Sequence, residues 1–182
     1  IISQESRRLS RMVRRMLDVS QLQAMDPLRG GNHFDICESV RRVLISMEQK
    51  ITDRNLDVVA EIPDEPILVK GDNDMITQVI YNLLDNAVKF SPMEGTLELT
   101  IREGGGKAYI SVSNQGETIP PEELPLVFDR FHKLDKSRSK NRDGWGLGLY
   151  IVKTIVCSHG ENISVTSRDG KTEFTFTMPL VN

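Results

Sequence analysis

The sequence predicts an α+β fold: a two-layer sandwich in which a mixed, mostly antiparallel sheet is covered on one face by helices, with one long helix in front. Three observations carry this reading. Apolar residues recur at helical spacing over residues 2–25, 35–51, 75–89 and 147–158, and alternate in short runs between those stretches. The runs come in blocks of helices and hairpins with little strict strand–helix–strand alternation. The 182 residues are 38% hydrophobic and 27% charged, which suits one domain of about 100–150 residues plus a helical appendage.

The first stretch spaces Leu9, Met12, Val13, Met16, Val19 and Leu22 as one amphipathic face, and Arg7, Arg8, Arg11, Arg14 and Arg15 occupy the rest. Pro27, Gly30 and Gly31 then mark a linker, so a boundary falls between residues 1–29 and residues 30–182. A lone helix of that length is marginal in water and needs a partner for its apolar stripe. The arginines read as a solvated face. A net charge of −3 argues against a general nucleic-acid binder. No apolar run approaches the ~20 residues of a membrane helix. Cys37 and Cys157 lie in apolar-periodic segments and read as buried, reduced thiols.

After the linker, Asp35 and Glu38 resemble a capping box opening a helix to residue 51, which should cover the sheet. Residues 56–62 and 67–69 read as an early strand pair. Asp72 caps a third helix over 75–89, ended by Ser91-Pro92. Residues 96–101 and 108–112 form a hairpin, 114–121 a loop and 122–131 a short helical stretch. Residues 132–146 are almost devoid of apolar side chains and end in glycines, which reads as a lid. A last helix and a hairpin, residues 163–167 with 172–178, close the chain.

Chemistry concentrates in four clusters. On the third helix, Asn82, Asn86 and Lys89 fall at i, i+4, i+7 and project from one side, while Leu83, Leu84 and Val88 point to the core. Two neutral carboxamides beside an ammonium suit a magnesium ion already balanced by phosphates; a solvated helix face is the plainer alternative. The loop Asn114-Gln115-Gly116-Glu117-Thr118-Ile119 and the cluster Gly144-Trp145-Gly146-Leu147-Gly148-Leu149 allow close backbone approach, and the second opens a helix whose free N–H groups favour phosphate. Phe128, Arg130, Phe131, Lys133 and Arg138 put aromatics and cations at the base of the lid.

In this order, the clusters QVIYNLLDNAVKFSP, NQGETIP, VFDRFHKLDKSRS and DGWGLGLYIVK resemble the N, G1, F and G2 boxes of the sensor histidine kinase ATP-binding domain, of the Bergerat or GHKL type. The opening helix resembles the second helix of the dimerisation and phosphotransfer hairpin of that family. The resemblance implies ATP and Mg²⁺ as ligands, with Asn86 as the main metal ligand and Asn82 beside it. It implies Lys89, Lys133 and Arg138 on the phosphates, Phe90 lining the pocket, and Gly144, Gly146 and Gly148 as hinges of the lid. Asn114, Gly116, Ile119, Phe131, Leu147 and Leu149 complete the expected ATP-binding set.

Two departures from the family pattern matter. Asn114 stands where relatives usually carry an aspartate that accepts the adenine amino group, and Thr118 replaces a glycine, so weakened ATP affinity is expected. None of His33, His132 or His159 is followed by the acidic residue that usually follows the acceptor histidine, so no catalytic residue is expected in this stretch and the acceptor belongs to an upstream helix. Relatives that hydrolyse ATP carry a glutamate four residues before the magnesium asparagine. Asn82 is there instead, a poor base, which favours transfer to a histidine over hydrolysis.

The implied partners are a response regulator receiver domain and a second kinase subunit in a homodimer, with membrane contact only through upstream segments. The implied location is a cytoplasmic domain of a membrane-anchored sensor. The competing reading is a degenerate nucleotide-binding or protein-interaction module without kinase activity.

Overall fold

A computed structural model describes residues 2–24, 26–28, 31–130, 132 and 147–182. Its elements are α1 (Ile2–Ala24), β1 (His33–Asp35), α2 (Ile36–Ser46), α3 (Glu48–Asp53), β2 (Asp57–Glu61), β3 (Leu68–Lys70), α4 (Asn73–Phe90), β4 (Thr96–Gly104), β5 (Lys107–Gln115), α5 (Gly148–Ser158), β6 (Ile163–Arg168) and β7 (Lys171–Pro179), with a 3-10 turn at Leu124–Leu126. The main sheet has the order β2-β4-β5-β7-β6. Only the β2–β4 pairing is parallel; the other three are antiparallel. The expected mixed, mostly antiparallel sheet with helices on it is what forms.

The core follows from period-two alternation on the strands meeting period-3.6 spacing on the helices. Leu97, Leu99, Ile110, Val112, Phe174 and Phe176 point from the sheet, and Ile76, Val79, Ile80, Leu83 and Leu84 of α4 close over them, all buried. At about 25 cal/mol per Å² of apolar surface removed from water, this interface is the main stabilising term.

Several local expectations are corrected. The early strand pair does not form: β2 pairs with β4, and β3 pairs antiparallel with β1, a strand that takes in His33 from the supposed linker. The chain crosses from β2 to β4 through α4, and parallel neighbours need such a crossover. The helix after Asp35 divides into α2 and α3 at Met47. Asp35 does cap it, accepting from the Cys37 N–H at 3.0 Å and also from the Ile67 N–H at 3.1 Å. Glu38 does not complete a box; it pairs with Arg42 one turn on, at 2.9 Å. Among the described residues of the stretch expected to be helical over 122–131, the single turn at Leu124–Leu126 is all that forms, since Pro120, Pro121 and Pro125 limit the donors. Cys37 is buried, but Cys157 is exposed.

α1 touches the body near its C-terminal end. Val19 is buried there, and Gln23 donates to the Tyr150 hydroxyl on α5 at 3.0 Å.

Candidate functional site

α4 is the element on which the site is built, and both of its ends are fixed. At the N-terminus the Asp72 carboxylate accepts from the Met75 N–H at 2.9 Å, satisfying a first-turn donor. The Asp72 N–H in turn donates to Nε2 of His159 at 3.1 Å, while Nδ1 of His159 lies 2.9 Å from the Ile155 carbonyl. Those partners fix one neutral tautomer, with the proton on Nδ1. Burial pushes the His159 pKa down, against the raising effects of the Ile155 carbonyl, Asp72 and Glu161. A Cβ on Gly71, at φ +154°, would come within 2.7 Å of the His159 ring, so glycine is required there.

Further along, the Asn82 side chain donates to the Gly148 carbonyl at 3.3 Å and accepts from Gln78 Nε2 at 2.7 Å. Asp72 facing His159 and Asn82 facing Gly148 make α4 and α5 antiparallel neighbours, which brings the first residue of α5 against the carboxamide stripe. α5 opens without a side-chain cap. One turn beyond Asn82, half-buried Asn86 has no side-chain hydrogen-bond partner among the described residues. Lys89 reaches back to Asp85 at 2.8 Å.

The far end of α4 meets the loop after β5. A Cβ on Gly116 would lie 2.7 Å from the Phe90 carbonyl oxygen, so this glycine permits a close backbone approach and brings Phe90 beside Asn114 and Gly116. Asn114, expected in a loop, is instead near the end of β5, 5% exposed, with Nδ2 donating to the Gln115 carbonyl at 2.9 Å. Thr118 has an evident job: its hydroxyl accepts from the Gly170 N–H at 2.8 Å, and the Gly116 N–H donates to the Gly170 carbonyl at 2.9 Å, tying the loop to the β6–β7 turn. Buried Ile119 is held the same way, its N–H donating to Ser167 at 2.8 Å.

Of the expected site residues, Asn82, Asn86, Lys89, Phe90, Asn114, Gly116, Gly148 and Leu149 lie along α4 and the two segments that abut it. Leu147 is buried at 2% exposure, so its side chain belongs to the core and only its backbone is available to a ligand. Phe131, Lys133, Arg138, Gly144 and Gly146, with the rest of the lid at 132–146 except His132, lie outside the described residues. His132 pairs with Glu123 at 2.8 Å.

The sequence reading overlooked Tyr150, whose hydroxyl accepts from Arg130 at 2.6 Å as well as from Gln23, with the Arg130 guanidinium 4.5 Å from its ring centroid. It also overlooked the Lys50–Asp85 pair at 2.9 Å. The spacing of Asp85 and Lys89 was visible in the sequence; a contact with Lys50, on a separate helix, was not.

With this geometry in view, comparison with known proteins places the chain. Residues 71–182 match the family described as histidine kinase-, DNA gyrase B-, and HSP90-like ATPase, and the chain belongs to that family. Sensor histidine kinase WalK of Bacillus subtilis is 34% identical over 182 residues, covering 98% of this chain and 30% of WalK. The nucleotide-free catalytic domain of histidine kinase ThkA superposes with a TM-score of 0.72 at 30% identity, covering 82% of this chain and 95% of that one. ThkA in complex with the response regulator protein TrrA gives 0.77 at 28% identity, covering 100% of this chain and 50% of that one. The architecture is thus that of a histidine kinase catalytic, ATP-binding domain, and the chain spans under a third of the length of WalK.

Proposed function

We propose that this chain binds Mg-ATP along the polar face of α4 and directs the γ-phosphoryl group to a histidine carried on another helix, of the same protein or of a second subunit. In this reading residues 1–29 are the second helix of a dimerisation hairpin and residues 30–182 are the kinase domain. A response regulator aspartate would then receive the phosphoryl group, in keeping with the ThkA–TrrA complex.

The observation that carries the proposal is Asn86: a half-buried carboxamide without a hydrogen-bond partner among the described residues, one turn from an asparagine engaged on both sides. A polar group so placed is one a ligand would satisfy. The donor set fits magnesium held mainly through phosphate. The described residues hold no cluster of three or more His, Cys, Asp or Glu, so the protein would supply neutral amide oxygens from Asn86 and Asn82 while the triphosphate supplies charge. Asn86 and Asn82 would hold the ion beside the triphosphate, where it would supply positive charge to offset that of the phosphates.

The chain's own residues do the rest. Among the described residues nothing stands within 4 Å of where a Cβ on Gly148 would be, so their packing does not call for glycine, whereas close approach of a phosphate to the uncapped start of α5 would. Lys89 would add a cation to the same phosphates, and Lys133 and Arg138 are the further phosphate contacts that the family resemblance implies. Phe90, Gly116 and Ile119 would border the base, and the Asn114 carbonyl would accept from the adenine amino group. No side chain here is required as a strong base; positioning and electrostatics would supply most of the rate.

Titration calorimetry with Mg-ATP tests the assignment: Asn86→Ala should abolish the binding heat, and Asn114→Asp should tighten binding by restoring a charge-assisted acceptor. Supplying the hairpin helix that carries the histidine should then yield acid-labile, base-stable phosphate. No heat with the unaltered chain, and no labelling, would favour an interaction module.

A further inference from the structure

Beside the carboxamide stripe, α4 carries a second one, Tyr81, Asp85 and Lys89 at i, i+4 and i+8. Its centre is Asp85, a carboxylate only 19% exposed and held from two sides: Oδ2 by the Lys89 ammonium at 2.8 Å, Oδ1 by the Lys50 ammonium at 2.9 Å. Lys50 comes from α3 and is itself steered, donating to the Tyr81 hydroxyl at 3.2 Å with its nitrogen 5.5 Å from that ring's centroid. Both oxygens of Asp85 therefore have cationic partners, and neither needs a metal.

This arrangement poses an energetic problem for a lysine that must serve phosphate. Drawing Lys89 from a half-buried carboxylate would strand a charge if Lys89 were its sole partner, and breaking such a pair is far more costly than an exposed one. We propose that Lys50 is a positioning residue: by keeping Asp85 paired, it lets Lys89 leave that carboxylate for the ligand's phosphates, and so sets the preference for a triphosphate. The inference rests on the nucleotide-binding reading above and adds to it a residue that acts through another. Its energetic footprint is consistent. Burial pushes the Asp85 pKa up, yet hydrogen bonds and charge from Lys89 and Lys50 outweigh burial and hold it below the usual carboxylate value. The same contact, with help from Tyr81, raises Lys50 above the usual lysine value.

The test compares the affinity of the chain for Mg-ATP with that for adenosine, by calorimetry or by competition. Lys50→Gln should lower the preference for the triphosphate about tenfold, the scale of one charged hydrogen bond, with adenosine affinity unchanged. Lys50→Arg should retain the preference. Lys50→Gln combined with Asp85→Asn should recover it, because Lys89 then has no carboxylate to leave; a purely structural role for Lys50 would give no such recovery. An unchanged preference in Lys50→Gln, or no recovery in the double variant, overturns the proposal while leaving the nucleotide site standing. If the unaltered chain does not prefer the triphosphate, the nucleotide reading itself fails and takes this one with it, whereas a preference left intact in Lys89→Gln overturns this proposal alone.

Discussion

α1 and α4 are both long helices with one apolar face, and periodicity alone does not separate them. Their surroundings do. Along α4, eight residues from Met75 to Val88 are buried against the sheet and its neighbouring helices. Along α1, Val19 is buried, whereas Leu9 is 63% and Leu17 59% exposed. α4 is tied to α5 both at Asp72 and at Asn82; α1 meets α5 near Tyr150. An apolar stripe states which side of a helix seeks cover, and only an opposing surface supplies it. The difference also bears on function: a helix anchored along its length can hold Asn82, Asn86 and Lys89 at fixed separations.

Four experiments would break or sharpen that contrast. The largest effect is expected from Leu83→Ala on α4, a loss of about 2–5 kcal/mol in urea unfolding, against less than about 0.5 kcal/mol for Leu17→Ala on α1. Equal losses would mean that α1 is as integral as α4. Next, Val19→Ala should remove roughly 1.5 kcal/mol from the docking of α1, counted from two buried carbons, and appear as faster proteolysis of residues 2–24.

A third experiment uses pH to probe the α4–α5 tie. His159 is neutral in the fold and its pKa is depressed, so as pH falls below the ordinary value of 6.5 the unfolded chain takes up the proton first. Folded stability should therefore be lost on acidification through that range, and His159→Gln should flatten this part of the profile; an unchanged slope would remove the histidine from the account. The smallest effect is expected from Tyr150→Phe, under about 1 kcal/mol because the hydroxyl's bonds to Gln23 and Arg130 are exposed. It should increase cleavage within α1 without altering urea unfolding of the body. A large drop in body stability would show that Tyr150 supports the core rather than the attachment of α1.

Legibility varied with the range of the interaction. Asp72 as a cap, the core face of α4 and the hairpins at β4–β5 and β6–β7 could be read locally, because caps, 3.6-residue spacing and glycine turns act over a few residues. The β2–β4 pairing could not, since it joins segments about 40 residues apart in the chain through α4. In the candidate site, the Asn82–Asn86–Lys89 stripe was visible in the spacing. Its surroundings were not: Thr118 looked like a missing glycine until its hydroxyl was found on Gly170, and nothing in the local pattern around Lys50 signals its contact with Asp85 on another helix.

What the sequence determined by itself was an α+β sandwich and a helix with two carboxamides and a lysine on its polar side, because hydrophobic period and side-chain direction are local properties of the chain. What only tertiary structure decided was which groups are already spoken for. Asn82 is tied to the start of α5, Lys89 is shared with Asp85, and Asn86 stands without a partner among the described residues. Burial and pairing depend on what lies opposite, and the residues opposite come from distant parts of the chain.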